Sequence, residues 1–200
     1  MTLENHLVLF AREPRLGRGK RRLARDVGDV TAWRFHWLTT GRLLQRLAGD
    51  PRWTTYLAVT PDRATMRGRG LWRTPARLVP QGTGDLGARM GRMMHVMPPG
   101  PVVIVGADIP DVRPRHVAQA FRLLGRHDAV LGPADDGGYW LVGLRRRPSV
   151  RPPFAGVRWG GPQARADTLA NLERLGMSVG FLETLSDVDT GADLRPHHWR

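Results

Sequence analysis

A basic, glycine-bearing loop, FAREPRLGRGKRRL over residues 10–23, follows the first apolar run of the chain. It holds Lys20, the one lysine in a sequence of 200 residues with 31 Lys+Arg. Arginine supplies positive charge everywhere else, so a retained lysine suggests a task for a compact charge on a flexible stem rather than a planar fork. Such a charge suits one non-bridging phosphate oxygen in a tight pocket. The bland alternative is a solvated lysine at the start of a helix. Gly17 and Gly19 let the backbone approach a ligand closely, Arg12 and Arg22 add charge, and the first turn of the next helix adds N–H donors. The combination suits a di- or triphosphate. The spacing matches neither G-x-x-x-x-G-K-[ST] nor G-x-G-x-x-G.

Three acidic groups could serve a phosphate bound there. Asp108 ends the apolar run PVVIVGAD, and a carboxylate at that place is a natural ligand for Mg²⁺ or Mn²⁺, with a local turn cap as the alternative. Asp135 and Asp136 stand in the turn Asp135-Asp136-Gly137-Gly138 between two apolar runs. A hairpin explains the glycines but not the adjacent acids. Asp187 and Asp189 fall on one side if their segment stays extended, so that either could join Asp108 on a metal. Taken alone, the segment reads better as a solvated loop near the C-terminus.

Other chemistries find no support. With no cysteine there is no disulfide, thiol nucleophile or Cys-based zinc site. None of the 7 histidines has metal-ligand spacing, and His197 and His198 lie in a tail expected to fray. No serine sits in a G-x-S-x-G elbow. The formal charge of +13 raises nucleic acid as a partner, but the arginines are dispersed. The dense runs are Arg18–Arg22 and Arg145–Arg147, the second leading into an exposed loop, PSVRPP. Trp33, Trp37, Trp53 and Trp72 read as core, so no stacking surface interleaves with the charge and nucleic acid is not favoured. No apolar run is long enough to span a bilayer and no leader precedes the first strand, so a cytoplasmic protein is expected.

The elements that must carry these residues alternate. Strands are expected at 6–11, 53–60, 76–81, 101–108, 128–134, 139–144 and 177–183. Helices are expected at 31–49, 85–97 (methionines inward), 113–127 and about 161–175. Helices between strands imply parallel pairing with right-handed crossovers, and the close pair 128–134/139–144 implies a hairpin that makes the sheet mixed. The expectation is an α/β fold in one domain over residues 1–200, with the polar groups at the carboxyl ends of the strands.

In this order the motifs resemble a bacterial family of GT-A-like transferases, the glycosyltransferases associated with radical-SAM or selenium-domain proteins. The likeness spans residues 7–194. The family's F-A-K-x-P-x-x-G-x-V-K-T-R-L appears as Phe10, Ala11, Arg12, Glu13, Pro14, then Gly17, Gly19, Lys20, Arg21, Arg22 and Leu23. Q-x-x-x-D-L-G-x-R-M appears as Gln81 with Asp85 to Met90, including Arg89. G-[ST]-D-x-P becomes Gly106 to Pro110, and G-P-A-x-D-G-G-Y-x-L-x-G-L is matched in full over 132–144. W-x-[ST] is partly matched by Trp159-Gly160-Gly161, and D-x-D-T closes the series at Asp187 to Thr190. Departures are Arg12 for Lys, Gly19 for Val, Arg21 for Thr and Ala107 for Ser or Thr.

The resemblance implies a nucleotide-diphospho-sugar transferase fold, a three-layer α/β/α sandwich with a mostly parallel mixed sheet of about seven strands. It implies glycosyl transfer from a nucleotide-diphosphate sugar to a small-molecule or sugar acceptor, with Mg²⁺ or Mn²⁺ held by Asp108 and Asp189. Lys20 and Asp136 would be catalytic, and Arg12, Gly17, Lys20, Arg22, Asp85, Arg89, Gly137 and Gly138 would bind the nucleotide. The alternative within the superfamily is nucleotidyl transfer of the guanylyltransferase type; the L-A-A-G-x-G-x-R-M loop of many sugar nucleotidyltransferases is missing, as it is in the phospholactate type. A non-catalytic basic binding module is the alternative from another class.

Overall fold

The structure, a computed structural model, describes residues 3–65, 72–146 and 151–199. Arg147 and positions 148–150 of the expected exposed loop therefore lie outside the described residues. Seven strands form one sheet, β1 (His6–Arg12), β2 (Thr54–Thr60), β3 (Arg77–Pro80), β4 (Val102–Gly106), β5 (Ala129–Pro133), β6 (Tyr139–Leu144) and β7 (Val179–Phe181), in the order β3-β2-β1-β4-β6-β5-β7. Only β6 runs antiparallel to its neighbours.

The strand sequences explain the layers. β1 is apolar from Leu7 to Ala11 and β4 throughout, as expected of strands buried on both faces. Side chains alternate between faces. Leu7, Leu9, Val103 and Val105 pack with α2 (Asp29–Leu47) and α4 (Pro114–Leu124), and Val8, Ala58 and Ile104 pack with α3 (Leu86–Val96) and α5 (Ala164–Arg174). Met90, Met93, Met94 and Met97 all face into this second core. Packing, not soft-metal chemistry, accounts for them. A short helix the periodicity does not reveal, α1 (Arg21–Val27), precedes α2 and buries only Leu23.

Topology places the polar groups. The chain leaves β1 for β2 on one side and returns at β4 on the other, so a crevice opens where the carboxyl ends of β1 and β4 diverge. Phe10 is level with Gly106, and Arg12 with Thr60. Because β6 is antiparallel, its leading turn Asp135–Gly138 lies at this same edge. β7 is parallel to β5 and delivers the segment after it there too, through a bridge between Ala134 and Leu185.

Two sequence expectations fail. Trp53 and Trp72 are buried, but Trp33 and Trp37 are 37% and 41% exposed and stack on each other 6.4 Å apart. Positions four apart share one helix stripe, and on α2 that stripe faces away from the sheet. The histidine tail is docked rather than frayed. Pro196–Trp199 forms a 3-10 turn, His198 is buried, and its carbonyl accepts from Arg42 at 2.7 Å.

Candidate functional site

The loop after β1 is pinned before it reaches the site. Glu13 is buried, its backbone N–H donates to the Thr60 carbonyl at 2.8 Å, and its carboxylate takes Arg15 at 2.7 Å. The chain then turns through Gly17 and Gly19 at φ 71° and 88° to Lys20, whose φ of 45° and ψ of 43° are left-handed. A non-glycine residue seldom adopts that conformation, and its backbone strain must be offset by surrounding contacts. Here those contacts are ionic. Lys20 Nζ donates to Asp108 Oδ2 at 3.2 Å, Asp189 Oδ1 at 2.9 Å and the Val188 carbonyl at 2.8 Å.

Burial acts to lower the Lys20 pKa, but Asp108 and Asp189 outweigh it and hold the ammonium above its ordinary value. Reciprocally, burial acts to raise Asp108, and Lys20 holds it below the usual carboxylate range. Arg22 reaches Asp189 at 3.5 Å from a side chain 70% exposed.

Asp187 completes an acidic group. Asp108, Asp187 and Asp189 each offer an oxygen, all within 4.8 Å of one another. Burial, then Asp189 and Asp108, push Asp187 up to about 6. Between the two acids Val188 is buried against Leu23, Ala32 and Phe35, which ties the segment to α1 and α2. Carboxylates crowded in this way suit a hard divalent cation with oxygen ligands.

Two cavities meet along Arg12 and Asp108. One, about 410 Å³, is walled by Arg89, Asp136, Tyr139, Trp159 and Asp187. The other, about 430 Å³, is walled by Lys20, Arg21, Arg22, His36 and Asp189. In the first, the Gly138 N–H fixes Asp136 at 2.8 Å as an Asx turn. Arg89 is presented by Gln81, which is fully committed. Its amide donates to the carbonyls of Ala11 (3.0 Å) and Ala58 (2.8 Å), while its Oε1 accepts from Arg89 at 2.9 Å.

The structure thus gathers Arg12, Lys20, Arg22, Arg89, Asp108, Asp136, Gly138 and Asp189 around the joined cavities. Three other candidates stand back from them. Asp85 caps α3, accepting from Ala88 N–H at 2.8 Å. Gly17 lines a small side cavity near Trp33. Gly137, at φ 85°, lets the turn pass Pro162, whose carbonyl oxygen would lie 2.4 Å from any Cβ.

The residue sequence reasoning missed is His36. It borders Lys20, and burial followed by the Lys20 charge pulls it down to about 4. A signal exists in the sequence: His36 falls on the α2 stripe shared by Ala32 and Leu43, the only ionisable group in that inward row.

Among known proteins, residues 43–161 match the model of a family described as uncharacterised proteins conserved in bacteria, DUF2064. No curated protein matches the sequence. A crystal structure from Desulfovibrio desulfuricans G20, of a protein described as a candidate nucleotide-diphospho-sugar transferase, is 32% identical, with 95% of this chain and 84% of that one covered and a TM-score of 0.87. The inositol-1-phosphate CTP transferase from T. maritima shares 13% identity over 98% of this chain and 94% of its own, with a TM-score of 0.60. The glucosyl-3-phosphoglycerate synthase from Mycobacterium tuberculosis, solved with Mg²⁺ and UDP, shares 11% over 92% of this chain and 70% of its own, with a TM-score of 0.55. The last two likenesses are of fold.

Proposed function

Since the chain belongs to the DUF2064 family, we propose from its own site that it is a transferase using a nucleotide-diphosphate sugar as glycosyl donor with a divalent cation. The observation that carries this reading is the ionic centre beside Asp108, which lines both cavities, where Lys20 Nζ lies 3.2 Å from Asp108 and 2.9 Å from Asp189. A cationic loop and an oxygen-donor cluster side by side are what a diphosphate with its metal requires.

Asp108 and Asp189, with Asp187 beside them, are the residues that would hold Mg²⁺ or Mn²⁺. Three acids with mutually crowded oxygens fit such an ion. When bound, it would neutralise charge on the departing nucleoside diphosphate. Lys20, Arg12 and Arg22 would add fixed positive charge to the same leaving group. Asp136, held by the Gly138 N–H, would orient the acceptor hydroxyl or take its proton. Tyr139 and Trp159, edge to face at 6.3 Å, would wall the acceptor side against water.

A second reading is nucleotidyl transfer, and one observation favours it. Four cationic side chains, Arg12, Lys20, Arg21 and Arg22, surround one cavity, enough for a triphosphate. The same groups would then stabilise charge at the phosphorus under attack. The products separate the two readings when the protein is supplied with Mg²⁺, candidate acceptors, and either nucleotide sugars or nucleoside triphosphates. Free nucleoside diphosphate from a nucleotide sugar supports glycosyl transfer. Pyrophosphate from a triphosphate supports nucleotidyl transfer.

A further inference from the structure

On the reading above, the acids hold a cation and the basic loop a phosphate, yet the Lys20 ammonium itself sits among the acids. Its bonds to Asp108, Asp189 and the Val188 carbonyl engage all three ammonium protons. Its side chain is only 11% exposed. The left-handed backbone at Lys20 aims the stem inward, and Gly19 before it, at φ 88°, makes that turn accessible. A divalent ion on the same oxygens would face a full positive charge at contact distance, and Coulomb repulsion at that range is large in a partly desolvated cleft.

We infer that the Lys20 ammonium and the divalent cation are alternative occupants of the Asp108 and Asp189 oxygens. The exchange is driven by an anionic phosphate group, which takes up the ammonium in the cavity bounded by Arg12, Arg22 and His36. Metal and phosphate then bind as a linked pair, each raising the affinity of the other by the same factor. This inference rests on the proposed metal and phosphate sites. The cleft then carries its own counter-cation, which weakens the binding of free metal until a phosphate arrives.

The lone lysine makes the exchange observable, because [15N]lysine labelling of the whole chain gives a single side-chain ammonium resonance. That resonance is followed with Mg²⁺ alone, with inorganic pyrophosphate alone and with both, beside Mn²⁺ binding measured by electron paramagnetic resonance against protein-free controls. The expected result is a resonance that holds its position with Mg²⁺ alone and moves when both are present. Mn²⁺ without pyrophosphate should bind Lys20→Gln about tenfold more tightly than wild type, while Arg22→Gln, which removes an exposed charge beside Asp189, stays within about threefold. Pyrophosphate should then raise the Mn²⁺ affinity of wild type about tenfold and that of Lys20→Gln much less. Equal Mn²⁺ binding by wild type and Lys20→Gln, abolished in Asp108→Asn, overturns the exchange and leaves the metal site standing. An Arg22→Gln effect as large as that of Lys20→Gln also overturns it, since general charge would then suffice. No Mn²⁺ on either protein overturns the metal site and the exchange together.

Discussion

The Lys20 ammonium meets Asp189 Oδ1 at 2.9 Å across 169 positions of sequence. That contact joins the loop after the first strand to the segment after the last, and it closes the cleft around Asp108. The two residues come together because β1 is central and β7 is parallel to β5, so both strands end on one edge of the sheet.

Shape at this contact matters as much as charge. Lys20→Arg keeps the charge but must place a planar fork among three oxygens arranged for a compact ammonium. Turnover is expected to fall at least about tenfold, with stability changed by less than about 1 kcal/mol. Steady-state kinetics beside urea denaturation checks this, and wild-type turnover in the variant would remove any special role for lysine.

Asp187 illustrates a site that costs stability. Its pKa of about 6 lies above the ordinary 3.8, so the native state keeps a proton that the unfolded chain has lost between those pH values. Native stability therefore declines as pH rises through that window, and the cost is fully present at pH 7. Asp187→Asn should stabilise the metal-free protein by about 1–2 kcal/mol at neutral pH, a gain that disappears below about pH 4. Denaturation at the two pH values measures it, and the same variant should lose metal-dependent activity.

His36 gives the opposite slope. Held at about 4 against 6.5, it stays neutral in the native state while the unfolded chain takes up a proton between those values. The stability it supports is present above pH 6.5 and lost as pH falls toward 4. His36→Phe should flatten that part of the profile, removing a dependence of about 2 kcal/mol. Thermal denaturation of both proteins from pH 7 to pH 4.5 tests the difference.

Much of this was legible in sequence, for identifiable reasons. Continuous apolar runs such as Val102–Gly106 disclosed the central strands, and the acids between β5 and β6 stood out because a hairpin needs no acids there. Trp33 and Trp37 misled because amphipathic spacing gives the period of a helix but not which of two apolar stripes meets the sheet. Asp85 caps α3, a role that shares its residue type with a ligand, so sequence alone does not separate the two. Lys20 and Asp189 were expected at one edge of the sheet, but their direct contact was not, since no local pattern encodes a pairing made by strand order.

Gln81 links the sheet to the site wall. It is 2% exposed and bonded through both ends of its amide. Gln81→Leu leaves the Ala11 and Ala58 carbonyls without these donors and deprives Arg89 of this acceptor, while its bond to the Asp85 carbonyl remains. A loss of about 2–4 kcal/mol is expected, together with weaker nucleotide binding. Urea denaturation reads the first effect and ligand-induced thermal shift the second.

The proposed function requires metal-linked binding of a nucleoside diphosphate group at the Lys20–Asp108–Asp189 centre. Thermal shift across nucleoside diphosphates and nucleotide sugars, with and without Mg²⁺ or Mn²⁺, tests it most directly, because a ligand specific to the native state raises the melting temperature. At least one such ligand should stabilise the protein, the metal should enlarge the shift, and Asp108→Asn should abolish the metal's contribution. A protein indifferent to every nucleotide and to both metals, or one whose metal response survives in Asp108→Asn, would contradict the proposed function.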